Sequence, residues 1–331
     1  MPKITLAVLD KFHPQIKEVI AAAVPVDWTV RFIEENSLAA RATVLRDADL
    51  AFVMAAPVPK ELLAQATRLR FMQKLGAGVD RIDLLACRKQ GIGLARLHAG
   101  NSIPVAEHTI LLILATYRQL PQIDRRTRAG AWDKEDARGE HRQLQGKIVG
   151  LVGFGAIGKE VAKRLRGFEV KILYYDPVRA PRDVERNLAA DYTELDSLLR
   201  SADIVSLHLP LTQETAGIIN AQRIRAMKRG AVLINAARGG LIDEIELIAA
   251  LKDGHLLGAG IDVFSKEPPV GSELLTLENT VVTSHLAGAT IDNFAGIIAR
   301  AVKNARAVLR GEALPQTDVV LAPSGAGATV K

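Results

Sequence analysis

Cysteine and aromatic residues are scarce in this chain. Cys87 is the one cysteine among 331 residues, and the aromatic residues make up 4% of the sequence. A single thiol excludes a disulfide within the chain and is typical of the reducing cytoplasm. Cys87 lies in a helical pattern, so we interpret it as a packing residue. The apolar fraction of 48% predicts a core built from aliphatic side chains and alanine.

Long apolar runs are also missing. The longest strongly apolar stretch, around 110–115, is too short to cross a bilayer, and the N-terminus lacks the layout of a signal peptide. The net charge is +6, but the basic residues are scattered among acidic ones, without zinc-ligand spacing or an RNA-binding aromatic motif. We therefore predict a cytoplasmic protein without a metal site that binds neither membranes nor nucleic acid.

Two series of alternating strand and helix patterns run along the chain. The first predicts strands over 4–9, 28–33, 48–54, 71–75 and 92–97, with helices over 16–23 and 59–66. The second predicts strands over 148–153, 170–175, 204–207, 232–235, 258–263 and 280–282. Such alternation is typical of parallel βαβ units, and six strands are what a doubly wound sheet requires.

The most informative motif opens the second series. It consists of Gly153, Phe154, Gly155, Ala156, Ile157 and Gly158, placed between a buried strand pattern and a helical one. The first glycine allows a tight turn, the second lets the backbone approach a pyrophosphate, and the third lets the helix pack closely on the strand. The N–H groups at the start of the helix attract phosphates. The motif is the fingerprint of a dinucleotide-binding site.

A carboxylate follows the next strand, at Asp176. At this position it can accept hydrogen bonds from the ribose hydroxyls, and it would repel the 2′-phosphate of NADP. The sequence therefore predicts NAD (NADH) as the cofactor. Arg179 and Arg182 lie just beyond and could soften this preference.

Two long helical patterns, over 102–117 and 292–309, connect the two series. They predict a two-domain α/β protein. A discontinuous, flavodoxin-like substrate (catalytic) domain would comprise 1–101 plus 287–331, and an inserted Rossmann NAD-binding domain with a doubly wound parallel sheet would comprise 102–286. A ligand cleft between two α/β domains is expected. The small-residue pattern over 323–328 predicts a disordered tail.

Three segments late in the chain carry polar groups at predicted strand ends, where a parallel sheet faces its ligand. They contribute Arg238, Glu267 and His285. A histidine can exchange a proton with a substrate oxygen, and a neighbouring carboxylate fixes its tautomer. An arginine can hold a carboxylate and polarise the adjacent carbonyl. Together they predict a hydride-transfer site for a 2-hydroxy acid and its 2-oxo acid.

These motifs resemble the D-isomer-specific 2-hydroxyacid dehydrogenase family over nearly the whole chain, in its glyoxylate/hydroxypyruvate reductase and phosphoglycerate dehydrogenase-like branch. The segments that carry the resemblance are 75–80, 105–108, 153–158, 208–212, 234–240, 260–268 and 282–288.

The resemblance implies a role for each site residue. Arg238 would orient the substrate carboxylate and carbonyl, and His285 would be the acid in reduction and the base in oxidation, with Glu267 behind it. The substrate carboxylate would also bind the backbone of Gly76, Ala77 and Gly78 in the other domain. The implied cofactor-binding residues are Gly153, Gly155, Ala156, Ile157, Gly158, Asp176, Leu209, Pro210, Thr215, Ala236, Ala237, Arg238, Asp262, His285 and Gly288, with Asp262 on the carboxamide.

The sequence departs from the family pattern at two places. Ser284 replaces the proline that usually precedes the catalytic histidine, which we expect to change loop rigidity but not chemistry. The stretch 54–57 reads Met-Ala-Ala-Pro where phosphoglycerate dehydrogenases tend to have an Arg-Ser pair, which argues against a phosphorylated substrate. Glu267 argues against the formate dehydrogenase branch, which has glutamine there.

The expected function is reversible hydride transfer between NAD(H) and a small 2-oxo/2-hydroxy acid, with glyoxylate and hydroxypyruvate as the first candidates, in a homodimer. Trp132 lies in a region through which relatives dimerise. One alternative is a phosphoglycerate dehydrogenase that lacks the regulatory domain. The other is an NAD-sensing interaction module resembling the C-terminal-binding-protein corepressors. We interpret His98, His108 and His141 as structural, and His208 as lining the cofactor cleft without doing chemistry.

Overall fold

The computed structural model describes residues 3–132 and 134–323. The chain divides into two compact units. The first unit contains the described residues up to Asn101 together with those from Thr290 onwards, and the second runs from Ser102 to Ala289. Of the predicted disordered tail, residues 324–328 lie outside the described residues, as does the rest of the first predicted domain beyond residue 323.

The strands, numbered along the chain, are β1 (Thr5–Val8), β2 (Thr29–Phe32), β3 (Leu50–Val53), β4 (Phe71–Lys74), β5 (Gly93–Ala95), β6 (Ile148–Val152), β7 (Lys171–Tyr175), β8 (Ala190–Tyr192), β9 (Ile204–Leu207), β10 (Ala231–Asn235), β11 (Leu256–Ile261), β12 (Thr280–Val282) and β13 (Val319–Leu321). The helices are α1 (Pro14–Ala23), α2 (Leu38–Leu45), α3 (Lys60–Leu63), α4 (Leu84–Lys89), α5 (Ser102–Tyr117), α6 (Leu120–Arg128), α7 (Lys134–Glu140), α8 (Ala156–Leu165), α9 (Arg182–Leu188), α10 (Leu195–Ser201), α11 (Ala221–Ala226), α12 (Glu244–Lys252) and α13 (Ile291–Leu309).

The sheet of the first unit has the order β13-β5-β4-β3-β1-β2. Its first five strands pair in parallel in the order 2-1-3-4-5, which is the flavodoxin order and confirms the predicted fold class. Helices α1 and α13 cover one face, and α2, α3 and α4 cover the other. Strand β3 is wholly buried, because both of its faces are covered.

The sheet of the second unit has the order β12-β11-β10-β9-β6-β7-β8, with all neighbours parallel. Read from β8, this is the doubly wound order 3-2-1-4-5-6 with β12 added beyond the sixth strand. Helices α5 and α8 pack on one face, and α10, α11 and α12 on the other. The predicted doubly wound parallel sheet is confirmed.

Some elements differ from the sequence-based expectation. The second sheet has seven strands rather than six, because the sequence analysis missed β8, a three-residue edge strand with one buried position. Strand β13, which pairs antiparallel with β5 and is partly buried throughout, was likewise not predicted. Helix α3 is shorter than the predicted 59–66. The sequence places the end of the inserted domain at residue 286. The second unit continues to Ala289, and the amide of Ala287 donates to Asp262 in that unit.

Two kinds of feature are absent from the described residues. Within 3–132 and 134–323, no helix is both long and apolar enough to span a membrane. The same residues contain no cluster of three or more histidine, cysteine, aspartate or glutamate side chains that could hold a metal ion.

Candidate active site

The glycine motif forms the turn from β6 into α8. Gly153 has a φ of +102°, and a Cβ there would lie 2.7 Å from the carbonyl carbon of His208. A Cβ at Gly158 would lie 2.3 Å from the carbonyl oxygen of Gly153. At Gly155 an added Cβ would meet no atom within 4 Å. The turn is therefore tightly packed on the protein side and open at Gly155, an arrangement that fits a pyrophosphate approaching the backbone.

Asp176 follows β7 and is tied to the glycine turn. Its carboxylate accepts hydrogen bonds from the amide of Phe154 at 2.7 Å and the amide of Val178 at 3.0 Å. The nearby Arg179 donates two hydrogen bonds to Glu185, at 2.8 and 3.1 Å. These bonds and the hydroxyl of Tyr174 lower the pKa of Glu185 to about 2. The Asp176 carboxylate thus lies beside the glycine turn. Arg179, which could soften the preference for NAD, is paired with Glu185.

The loop after β9 is held by its own side chains. The hydroxyl of Thr215 donates to the carbonyl of Pro210 at 2.6 Å and accepts from the amide of Thr212 at 2.8 Å. Leu209 is buried, whereas Pro210 is exposed. Of the implied cofactor residues in this loop, Thr215 has its hydroxyl engaged in fixing the loop.

His208 lies at the start of the same loop. Its Nε2 atom is buried and has no hydrogen-bond partner among the described residues. Burial lowers the pKa of His208 to about 4, because the charged imidazolium would be poorly solvated there. His208 is therefore neutral near pH 7.

The turn after β10 carries Arg238. The side chain of Asn235 closes this turn, since its Nδ2 donates to the carbonyl of Arg238 at 2.9 Å and its Oδ1 accepts from the amide of Ala237 at 3.0 Å. A Cβ at Gly239 would lie 1.9 Å from the carbonyl carbon of Phe264, so only glycine permits this approach to the segment after β11. Asn235 was not among the predicted site residues, although asparagine before a turn was a usable signal.

His285 and Glu267 are in direct contact. The Nδ1 atom of His285 lies 3.0 Å from both carboxylate oxygens of Glu267. The side chain of Glu267 is 20% exposed and that of His285 is 46% exposed. A carboxylate can only accept, so Nδ1 carries a proton and Nε2 is the atom that can exchange one with a ligand.

Asp262, at the end of β11, is wholly buried beneath the His285 loop. It accepts hydrogen bonds from the amides of Leu286 at 2.9 Å and Ala287 at 3.1 Å, and from the hydroxyl of Thr283 at 2.6 Å. The carbonyl of Asp262 accepts from the amide of His285 at 2.7 Å. The resemblance assigns Asp262 to the carboxamide, and the structure shows that both of its carboxylate oxygens bind the protein itself.

Strand register puts these residues at one edge of the second sheet. Asn235 pairs with Ile261, and Ile261 pairs with Val282. Arg238 and His285 follow two of these aligned strand ends, as predicted from the sequence, and Asp262 follows the strand between them. The remaining implied residues lie in two places: Ala236, Ala237 and Gly288 are in the same turns and partly buried, and Ala156 and Ile157 are at the start of α8.

In the first unit, Gly76, Ala77 and Gly78 follow β4, beside the loop that follows β3. Asp10 fixes that loop by accepting from the amides of Met54, Ala55 and Ala56, at 2.5, 2.7 and 2.8 Å.

Two cations hold the carbonyls of the same loop. The ammonium of Lys74 donates to Met54, and Arg81 donates to Ala55 at 3.2 Å. An added Cβ on Gly76 would lie 3.5 Å from this ammonium, which places the two loops side by side.

Comparison with known proteins agrees with this geometry. A profile described as "D-isomer specific 2-hydroxyacid dehydrogenase, NAD binding domain" matches residues 110–287. A glyoxylate reductase from Thermofilum pendens is 41% identical over 276 residues, which cover 82% of this chain and 81% of that protein. A D-3-phosphoglycerate dehydrogenase from Archaeoglobus fulgidus is 38% identical over 271 residues, which cover 81% of this chain. The match spans only 50% of the length of that relative.

Among solved structures, a protein from Thermus thermophilus superposes with a TM-score of 0.85 at 32% identity, covering 96% of this chain and 100% of that one. The second unit is thus an NAD-binding domain, in a family of oxidoreductases that act on CH–OH donors with NAD. The order of its strands, its glycine turn and the relatives it matches lead to one assignment: the chain belongs to the D-isomer specific 2-hydroxyacid dehydrogenase family.

Proposed function

We propose that this protein reduces small 2-oxo acids to D-2-hydroxy acids with NADH, reversibly, and that glyoxylate and hydroxypyruvate are its preferred acids. The observation that carries the proposal is the contact of His285 Nδ1 with both oxygens of Glu267 at 3.0 Å. This pair lies at the carboxyl edge of an NAD-binding sheet, where nucleotide-binding folds hold their ligands.

The proposed chemistry needs one hydride and one proton. The glycine turn of Gly153, Gly155 and Gly158 would hold NADH, which would supply the hydride. His285 donates a proton from Nε2 to the carbonyl oxygen, so that C=O becomes CH–OH, and takes it back in the reverse direction. Glu267 holds Nδ1 and stabilises the imidazolium. Arg238 orients the carboxylate and polarises the carbonyl. The carboxylate-binding role of the backbone of Gly76, Ala77 and Gly78 stays a prediction from the family resemblance.

The preference for small, unphosphorylated acids rests on the loop after β3. Its side chains at 54–57 are Met, Ala, Ala and Pro, which offer no charged or hydroxyl group to a phosphate. Asp10 holds the backbone amides of Met54, Ala55 and Ala56, so those donors are already used. The phosphoglycerate dehydrogenase alternative, which relatives of that name keep open, therefore ranks second.

The preference for NADH over NADPH rests on Asp176 and Arg179. A 2′-phosphate beside the Asp176 carboxylate would be repelled. Arg179 could offset this repulsion, but it is paired with Glu185 and lies over the Tyr192 ring at 5.2 Å. We expect Asp176→Ser to raise kcat/KM for NADPH relative to NADH, and Asp191→Ser, an exposed carboxylate on β8, to leave the ratio unchanged.

We also propose a cytoplasmic homodimer. The buried single thiol suits a reducing compartment. Large apolar side chains are exposed in the segment 102–132 of the second unit: Ile103, Leu111, Leu120 and Trp132, between 51% and 85%. Light scattering on the wild type and on Leu111→Asp tests this, and a wild-type monomer would contradict it.

The test of the activity is the initial rate of NADH oxidation with a panel of acids. Glyoxylate, hydroxypyruvate, pyruvate, phosphohydroxypyruvate and bulkier 2-oxo acids are compared, with NADPH in parallel. Turnover of the small acids with NADH supports the proposal. Preference for phosphohydroxypyruvate would favour the alternative. Tight NADH binding without turnover of any acid would favour the NAD-sensing interaction module.

A further inference from the structure

We propose that His108 is a positioning residue, which holds the loop of the catalytic histidine through a hydrogen-bond relay to Thr283 and Asp262. The relay lies wholly in the second unit and uses a side chain for which the mechanism above has no role. The inference rests on the proposed function only in calling the held loop catalytic.

The relay connects a helix to two strand ends. His108, on α5, is 9% exposed, and its Nε2 lies 3.0 Å from the hydroxyl of Thr283, which follows β12. That hydroxyl lies 2.6 Å from a carboxylate oxygen of Asp262, which follows β11. The same carboxylate oxygen is 3.7 Å from the Nε2 of His108. The three groups therefore form a closed triangle at the base of the loop.

The chemistry of the three groups fixes the direction of the bonds. The Asp262 carboxylate accepts one loop amide on each of its oxygens, so it acts as an acceptor in this network. The single proton of the Thr283 hydroxyl therefore goes to Asp262. The hydroxyl must then accept from His108, which makes Nε2–H the occupied tautomer.

The loop above the triangle needs such support. His285 has a φ of +55°, a left-handed conformation that is unfavourable for a side chain with a Cβ, by roughly 1–2 kcal/mol. Its flanking residues Ser284 and Leu286 are exposed and contribute little packing. Ser284 also leaves the backbone freer than a proline would. Asp262 compensates by binding the amides of Leu286 and Ala287.

His108 is well placed to hold this carboxylate. Helix α5 runs over sixteen residues and packs on β10, β11 and β12, so its position is fixed by the sheet. Donation from Nε2 orients the Thr283 hydroxyl toward Asp262, and this keeps the carboxylate facing the loop amides. Loss of the donor would free the hydroxyl to rotate, and the loop would sample conformations in which His285 is misplaced.

The experiment compares His108→Leu with His108→Gln, whose side-chain amide can donate from nearly the same position as Nε2. Amide hydrogen exchange of a peptide covering 283–288 reports on the loop without any turnover, and kcat and KM for glyoxylate report on the chemistry. The matched control is His255→Leu, since His255 is a half-buried histidine of the same unit whose Nε2 bonds the carbonyl of Ile224.

We expect His108→Leu to speed exchange in 283–288 and to lower kcat, each by about fivefold, which corresponds to one neutral hydrogen bond. KM should change less, because the substrate contacts remain. His108→Gln should restore both values, and His255→Leu should leave both unchanged. The exchange over 154–158 in the glycine turn should not respond.

Wild-type exchange and kcat in His108→Leu would overturn the proposal. So would a His108→Gln protein that folds but behaves like His108→Leu, because donation from position 108 would then be irrelevant. If the wild type reduced no acid of the panel, the proposed function would be wrong. The hydrogen-exchange data would still test the relay, because they do not depend on turnover.

Discussion

Asp10 in the first unit and Asp262 in the second use the same device for different ends. Each follows the end of a parallel strand, is buried, and accepts backbone amides of a neighbouring loop. Asp10 fixes a loop whose side chains at Ala55 and Ala56 are chemically inert. This loop can therefore contribute a surface of defined shape but no reactive group at these positions. Asp262 fixes the loop that carries His285, which offers an ionisable group. The same kind of hydrogen bonding therefore fixes a chemically inert loop in one unit and, in the proposed function, the catalytic loop in the other.

This comparison agrees with the physics of parallel sheets. Loops at the carboxyl ends of the strands need partners for their backbone groups, and a buried carboxylate supplies several acceptor sites at once. The side chains that such a loop exposes can therefore differ between the two units. The proposed acid–base chemistry uses side chains of the second unit, whereas the proposed carboxylate-binding turn of Gly76 in the first unit uses backbone groups.

The largest expected effect comes from removing the imidazole of His285, the proposed acid. His285→Ala should lower kcat for glyoxylate by about 10²–10⁴-fold, since general acid catalysis has that worth. Ala55→Ser, an exposed change in the Asp10-bound loop, should leave kcat nearly unchanged, because this side chain has no role in the proposed proton or hydride transfer. Steady-state kinetics of both proteins provide the measurement. Equal losses in the two variants would end the distinction between chemistry and shape.

The next largest expected effect is on the free energy of unfolding of the second unit at acidic pH. His208 has a pKa of about 4 when folded and an ordinary value of 6.5, so the unfolded chain binds more protons between these limits. Stability should therefore fall as the pH drops from about 7 to about 4, with a contribution from His208 of about 3 kcal/mol.

The variant His208→Gln does not titrate and should lack this contribution. Urea unfolding of the wild type and the variant, at intervals between pH 7 and pH 4, isolates it as the change in their difference. A constant difference across this range would show that His208 is not held neutral in the folded protein.

The two aspartates can be compared directly by replacing each with asparagine. Asp10→Asn and Asp262→Asn should each destabilise the protein by roughly 2–3 kcal/mol, because each turns a charged acceptor of several bonds into a partial donor. Asp10→Asn should mainly raise KM for the acid, whereas Asp262→Asn should mainly lower kcat. Urea unfolding and kinetics on both variants check this, and exchanged kinetic effects would reverse the roles we assign.

The smallest expected effect tests whether a pyrophosphate approaches the backbone of the glycine turn. Gly155→Ala adds a Cβ that meets no protein atom, so stability should not change, but a bound pyrophosphate would meet it. We expect the Kd for NADH to rise about tenfold, a change of about 1.4 kcal/mol. Gly158→Ala is the contrast, because its Cβ would clash with Gly153 and should lower Tm. Titration of NADH fluorescence and thermal melts separate the two, and unchanged NADH binding in Gly155→Ala would argue against the predicted approach.

Local pattern was enough to predict most of the architecture. Apolar runs separated by helical spacing predicted the parallel strands within a few residues, and glycine spacing marked the turn at Gly153. Residues that follow strands, such as Arg238 and His285, could be placed at one edge because parallel strands end together. Short edge strands such as β8 and β13 were not predicted, because three residues with little burial leave no periodic signal in the sequence.

The sequence by itself determined the class of protein: the fold, the NAD-binding turn and the family to which the chain belongs. These follow from local rules, since a strand, a turn and a helix start each depend on neighbours in the chain. Only the tertiary structure decided which side chains hold the loops. Asp10 reaches Met54, and His108 reaches Thr283, 175 positions away. Hydrogen bonds form between groups that folding brings together, and no spacing in the sequence encodes such a distance.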